Sequence, residues 1–139
     1  MLRKILLIAL LAISLPSLAQ DKEAARPAAI ISWLKLGSHI NPDLSVPVPK
    51  KNFKPTEDIY AVVGTKASKP TYGTLGILWT YGSGDHLQAV HDESKELVFD
   101  GDGITAFKIS KPDGWPSGTY QAELFIDGHS ASKISFIVR

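Results

Sequence analysis

The chain has 139 residues, 15 of them basic and 14 acidic, with 44% hydrophobic side chains and no cysteine. A balance this close to neutral gives no electrostatic footing for nucleic acid or an anionic membrane surface. The missing thiols exclude cysteine catalysis, cysteine-ligated zinc and iron–sulfur clusters, and any core must hold by packing without disulfides.

At the N-terminus Arg3 and Lys4 precede an apolar run from Ile5 to Leu15, and Pro16-Ser17-Leu18-Ala19 follows with small residues where a signal peptidase needs them. This is the pattern of a secretory signal, residues 1–19, cut after Ala19. The run is too short to cross a hydrocarbon layer of about 30 Å, so the processed chain is expected in the periplasm or outside the cell with no membrane span. Losing Arg3 and Lys4 leaves the processed chain near a net charge of −1. Residues 20–28 are charged and alanine-rich, with Pro27 ending any helical tendency, and read as a flexible lead-in. Residues 29–139 are expected to form one domain.

Within that domain Ile30 to Leu36, around Trp33, is the first strand candidate. Asn41 to Pro55 holds Pro42, Pro47, Pro49 and Pro55, and each proline removes a ladder donor, so this segment is an edge or an extended crossover. Glu57 to Lys66 is predicted as a strand apolar on both sides. Leu75, Ile77, Trp79 and Tyr81 repeat the alternation, and Gly82-Ser83-Gly84-Asp85 breaks it as a turn. Leu87 to Val90 and Glu96 to Phe99 are shorter strands, Asp100-Gly101-Asp102-Gly103 is the next expected turn, and Ile104 to Ser110 follows. Outside the signal no window has helical periodicity.

The last third is written as a hairpin. Tyr120, Ala122, Leu124 and Ile126 alternate with Gln121, Glu123 and Phe125, and Ile134, Phe136 and Val138 repeat the pattern. Between them Asp127-Gly128 is the dipeptide that takes positive φ at both central positions of a type I′ turn. Seven to eight short strands with turn signals between them predict an all-β fold, an antiparallel β-sandwich.

Trp79 in mid-strand and Ser117-Gly118-Thr119-Tyr120-Gln121-Ala122 resemble the buried tryptophan and corner tyrosine of an immunoglobulin-like sandwich. On that resemblance Ala122 stands where antibody domains place a cysteine. Phe53-Lys54-Pro55-Thr56, Ile59-Tyr60, Trp79-Thr80-Tyr81 and the run from Phe107 to Pro116 are similar to short exported bacterial immunoglobulin-like domains of unsettled function. The resemblance covers residues 53 to 138. It implies a fold and brings no catalytic residue with it.

Chemistry-bearing residues are sparse. Asp100 and Asp102 offer alternate carboxylates for calcium, but Ile104 and Lys111 stand where an EF-hand loop needs ligands, and a solvated turn is the favoured reading. His39, His86, His91 and His129 lack metal-ligand spacing. Gly82-Ser83-Gly84 is not a nucleophile elbow, and no carboxylate pair stands out. The expectation is a non-enzyme without cofactor. Trp115, between Gly114 and Pro116, is either an exposed anchor or a cap folded back on the sandwich, the cap being favoured. Tyr72, Ser83, Asp85 and Trp115 are the loop residues expected to bind an unknown protein partner. The chain is expected to act as a monomer. The rival readings are a structural or adhesin-type subunit using strand addition and a calcium-dependent module.

Overall fold

The computed structural model describes residues 28–139, and every regular element among them is a strand. The expected signal and the lead-in through Pro27 lie outside the described residues. Six strands follow in chain order: β1 (Ala29–Gly37), β2 (Asn52–Phe53), β3 (Ile59–Tyr81), β4 (Gln88–Ile109), β5 (Gly118–Ile126) and β6 (His129–Val138).

Two of these are far longer than ordinary strands. β3 has 23 residues and β4 has 22, which fully extended would span roughly 70 Å, several times the core of a small domain. Both therefore bend from one layer into the other at the same level. The β3–β4 ladder jumps from Ala67↔Gly101 to Thr71↔Phe99, so Ser68, Lys69 and Pro70 stand opposite Asp100 alone. Pro70 has no N–H to lose at such a bulge, and Gly101 takes φ +57°, a conformation that costs glycine little.

The bend corrects two expectations. Asp100-Gly101-Asp102-Gly103 is not a turn between strands but the bent middle of β4. Six continuous strands stand where seven to eight were expected, because β3 and β4 run unbroken through residues that read as punctuation. In one layer the first half of β3 lies between β1 and the second half of β4. In the other, the second half of β3 lies between the first half of β4 and β5, and β6 and β2 complete the layer. All pairings are antiparallel except β2 with β6, where Asn52 and Phe53 run parallel to Ile137 and Val138. The proline-rich segment thus ends in a two-residue edge strand.

The core lies between the layers. Leu36, Ile59, Ala61 and Val63 face Leu75, Ile77, Trp79, Tyr120, Leu124, Phe136 and Val138, all buried. Phe136 meets the Trp79 ring edge-on at 5.9 Å and stacks on Tyr120 at 5.4 Å. Burying each such large side chain contributes about 1.5–3 kcal/mol. Trp79 stands directly opposite Ala122 in the β3–β5 ladder, so a small residue lies beside the largest core ring. The Asp127-Gly128 turn has φ +50° and +79°, as the type I′ reading requires. Asp127 also accepts the Thr74 N–H through its carboxylate at 2.9 Å and donates its own N–H to the Thr74 carbonyl at 3.0 Å. The hairpin is thereby fastened to β3.

Candidate functional site

The end of the sandwich where β3 finishes and β5 begins is built from aromatic rings. Tyr81 and Tyr120 are register partners with ring centroids 4.8 Å apart. The Tyr81 ring needs Gly118 beside it, since a Cβ there would press on the ring at 2.8 Å. Tyr81 donates its hydroxyl to the Ser117 carbonyl at 3.1 Å, and Tyr120 donates to the Pro116 carbonyl at 2.6 Å. Two tyrosines on neighbouring strands thus hold the loop that carries Trp115. The Trp115 backbone N–H donates to the Pro55 carbonyl at 2.8 Å, and the indole packs edge-on against Tyr120 at 6.3 Å. Trp115 is therefore folded back as a cap, half-buried, and its buried indole nitrogen meets no acceptor among the described residues.

This cap leaves space beside it. Tyr81, Val90, Lys111, Trp115, Pro116 and Tyr120 line an open pocket of about 440 Å³. Burial, and secondarily the neighbouring Tyr81, pushes the Tyr120 hydroxyl above the ordinary tyrosine pKa, which keeps it a donor. From Tyr81 the chain passes straight into the Gly82–Asp85 turn. Gly82 donates to the Thr119 carbonyl at 2.9 Å, and Gly82 and Gly84 take φ +102° and +59°. Ser83 and Asp85 are exposed in this turn.

Three of the four expected binding residues, Ser83, Asp85 and Trp115, therefore share one end. Tyr72 does not join them. It lies nine residues upstream on β3, roughly 30 Å along the strand, near the β5–β6 turn. There it is 68% exposed and donates its hydroxyl to the Glu96 carboxylate at 2.9 Å. Asp100 and Asp102 sit at the β4 bend, with Asp102 across the ladder from Lys66. Among the described residues no group of three His, Cys, Asp or Glu side chains is placed to hold a metal.

A second aromatic position was not among the expected sites. Trp33 stands opposite Gly64 on the outward side of the three-stranded layer, and a Cβ on Gly64 would overlap the indole. The glycine is what lets the ring rest on the sheet. The available signal was the isolated glycine inside the apolar strand Ile59 to Thr65, which marks a close approach.

An all-β sandwich whose corner tyrosine is tied back to the preceding loop defines an immunoglobulin-like domain. No family model and no curated protein sequence matches the chain. Among solved structures it is similar to an immunoglobulin-like protein from Pseudomonas aeruginosa, at 13% identity over 83% of this chain and 99% of that one, with a TM-score of 0.50. It is also similar to the alkylpurine DNA glycosylase AlkC of Pseudomonas fluorescens, at 12% identity over 81% of this chain and TM-score 0.58. A β-glucosidase of Erythrobacter marinus matches at 6% identity over 80% of this chain and TM-score 0.53. The chain spans 30% of the glycosylase and 15% of the glucosidase. These likenesses define the fold and carry no activity.

Proposed function

We propose that the chain is an exported, non-catalytic binding module that recognises a protein partner in the cell envelope or outside the cell through its Tyr81–Trp115–Tyr120 end. The observation that carries this reading is the aromatic pocket beside an exposed glycine-rich turn. Apolar side chains inserted into aromatic-walled pockets supply a large share of interface energy, and Ser83 and Asp85 add a polar rim. The loop bearing Trp115 is pinned by hydrogen bonds from Trp115, Tyr81 and Tyr120, so little ordering cost falls on association. Export rests on the sequence of residues 1–19.

Strand addition, as in an adhesin-type subunit, is less well supported. β4 pairs only with β3, but it carries an edge guard. Lys95 lies at 4.9 Å over the Phe107 ring and donates its ammonium to the Ala106 carbonyl at 2.8 Å. A charge directed inward at an edge, followed by a bulge, discourages further pairing.

Photo-crosslinking from single positions tests the site. A probe at Ser83 should capture a protein in envelope extracts, and a probe at Tyr72 should not. Capture from Tyr72 alone would move the site to the other end, and capture from neither would remove the reading.

A further inference from the structure

The aromatic end holds a second hollow beside the first. Val90, His91, Lys108, Ile109, Ser110 and Trp115 line an open pocket of about 300 Å³, and the Tyr81–Tyr120 pocket shares Val90, Ser110 and Trp115 with it. The two are adjoining compartments of one groove, with the Trp115 indole as a common wall. Gln88 to His91 opens β4 and Lys108 to Ile109 closes it, so the groove lies between the two ends of one folded strand.

Both ends of β4 pair with β3 on one side and with no strand on the other among the described residues. Free backbone N–H and C=O groups on such an edge accept an added extended segment. The guard formed by Lys95 and Ala106 stands further along the two halves and does not line the groove. At the first end the ladder jumps from Trp79↔His91 to Thr80↔Ala89, which leaves Val90 as an extra residue. A bulge of this kind re-aims a side chain. Val90 packs half-buried against the core and gives the groove an apolar floor.

The charge on the walls has one sign. Lys111 lines the first compartment, His91 and Lys108 the second, and no Asp or Glu lines either. Asp92, next to His91, lines the outer face of its layer instead. Lys108 pairs with Asp58 at 3.2 Å and Lys111 with Asp113 at 3.3 Å, but each of the four side chains is at least 40% exposed. Pairs so exposed are worth less than about 1 kcal/mol, so either lysine can exchange its carboxylate for another at small cost.

Building on the reading of this end as a protein-binding site, we propose that the groove takes an extended peptide segment of the partner, with apolar side chains at alternate positions and an acidic residue beside them. Alternate side chains of an extended chain stand roughly 7 Å apart on one side, which suits two compartments that share one indole wall. One apolar side chain enters between Tyr81 and Tyr120, the next rests on Val90, and the carboxylate meets Lys108 or Lys111.

Selection of a random heptapeptide phage library on the immobilised processed chain tests this. Enriched sequences should carry apolar residues at i and i+2 with Asp or Glu close by. A synthetic peptide of the enriched sequence, measured by fluorescence polarisation, should bind Ser110→Glu about tenfold more weakly than the unaltered chain and Ser110→Gln, of the same size, within about threefold. Ser110 is exposed and borders both compartments, so neither change touches the core, and circular dichroism checks each fold. Ser135→Glu, on the outer face of the other layer, should leave binding unchanged. No enrichment, or enrichment of basic or uncharged sequences, overturns the proposal, and capture from a probe at Ser83 would then still uphold the site as a protein-binding one. Equal binding by Ser110→Glu and Ser110→Gln overturns the demand for an acidic residue, and equal loss in Ser110→Glu and Ser135→Glu overturns the placement in the groove.

Discussion

The Tyr120 hydroxyl donates to the carbonyl oxygen of Pro116, four residues upstream, at 2.6 Å. One hydrogen bond joins a buried residue at this end of the core to the loop that positions Trp115. Tyr120→Phe keeps the ring and removes the bond, leaving a half-buried carbonyl without that donor. We expect a loss of about 1–2 kcal/mol in urea denaturation, with the slope unchanged. A midpoint equal to that of the unaltered chain would show that the loop is held by Tyr81 and Pro55 alone.

Alkali should ionise the same residue less readily in the folded chain than in the unfolded one. Burial, with Tyr81 adding to it, places the folded pKa of Tyr120 above its unfolded value near 10. Its neutral form therefore contributes stability that is fully present below the unfolded pKa and is lost as pH rises through the folded one. In a spectrophotometric titration Tyr120 phenolate should form at higher pH in the folded chain than in the urea-unfolded one. The Tyr120→Phe chain should lack that step. Phenolate formation identical in the two chains, with the sheet intact, would contradict the burial.

Acid should loosen a different place. The Glu57 carboxylate accepts from the Lys50 ammonium and, at 3.0 Å, from the Lys54 N–H, which lowers its pKa against the opposing effect of burial. A depressed folded pKa gives stability that is present above the unfolded value of about 4.3 and lost as pH falls through the folded one. Glu57→Gln should therefore cost up to about 1 kcal/mol at neutral pH, since the pair keeps some solvent contact. The difference should vanish at pH 2. A difference that persists at pH 2 would mean the amide fails to replace the packing of the carboxyl group.

At the β5–β6 turn Gly128 has φ +79° with open space where a Cβ would go. Strain is then the only cost of a side chain. Gly128→Val should lose about 1–2 kcal/mol, and Gly128→Asn less, because asparagine tolerates the left-handed region. Thermal denaturation of the two chains gives the ordering, and valine equal to asparagine would argue against the type I′ geometry.

The hairpin from Tyr120 to Val138 was readable because each strand has one dry and one wet face, so period two is written directly into the residues. Trp79, Tyr120 and Phe136 meet in the core for the same reason. The continuity of β3 and β4 was not readable. A bulge uses the same residues as a turn, and Pro70 and Gly101 serve the bulge while looking like chain breaks. The loop end was half legible. Trp115 could be suspected from its Gly-Trp-Pro setting, but the pocket depends on Tyr81 facing Tyr120 across a ladder 39 residues apart in sequence. Trp33 resting on Gly64 depends likewise on a long-range register, set beside the bulge between Ile31 and Trp33.

The most direct measurement compares partner retention on immobilised processed chain in three forms: unaltered, Tyr81→Ala with Ser83→Lys, and Tyr72→Ala. Circular dichroism of each confirms the sandwich first. The account predicts one envelope or extracellular protein retained by the unaltered and Tyr72→Ala chains and lost from the doubly altered one. Retention of that protein equally by all three, or by none, would contradict a binding site at the Tyr81–Trp115–Tyr120 end.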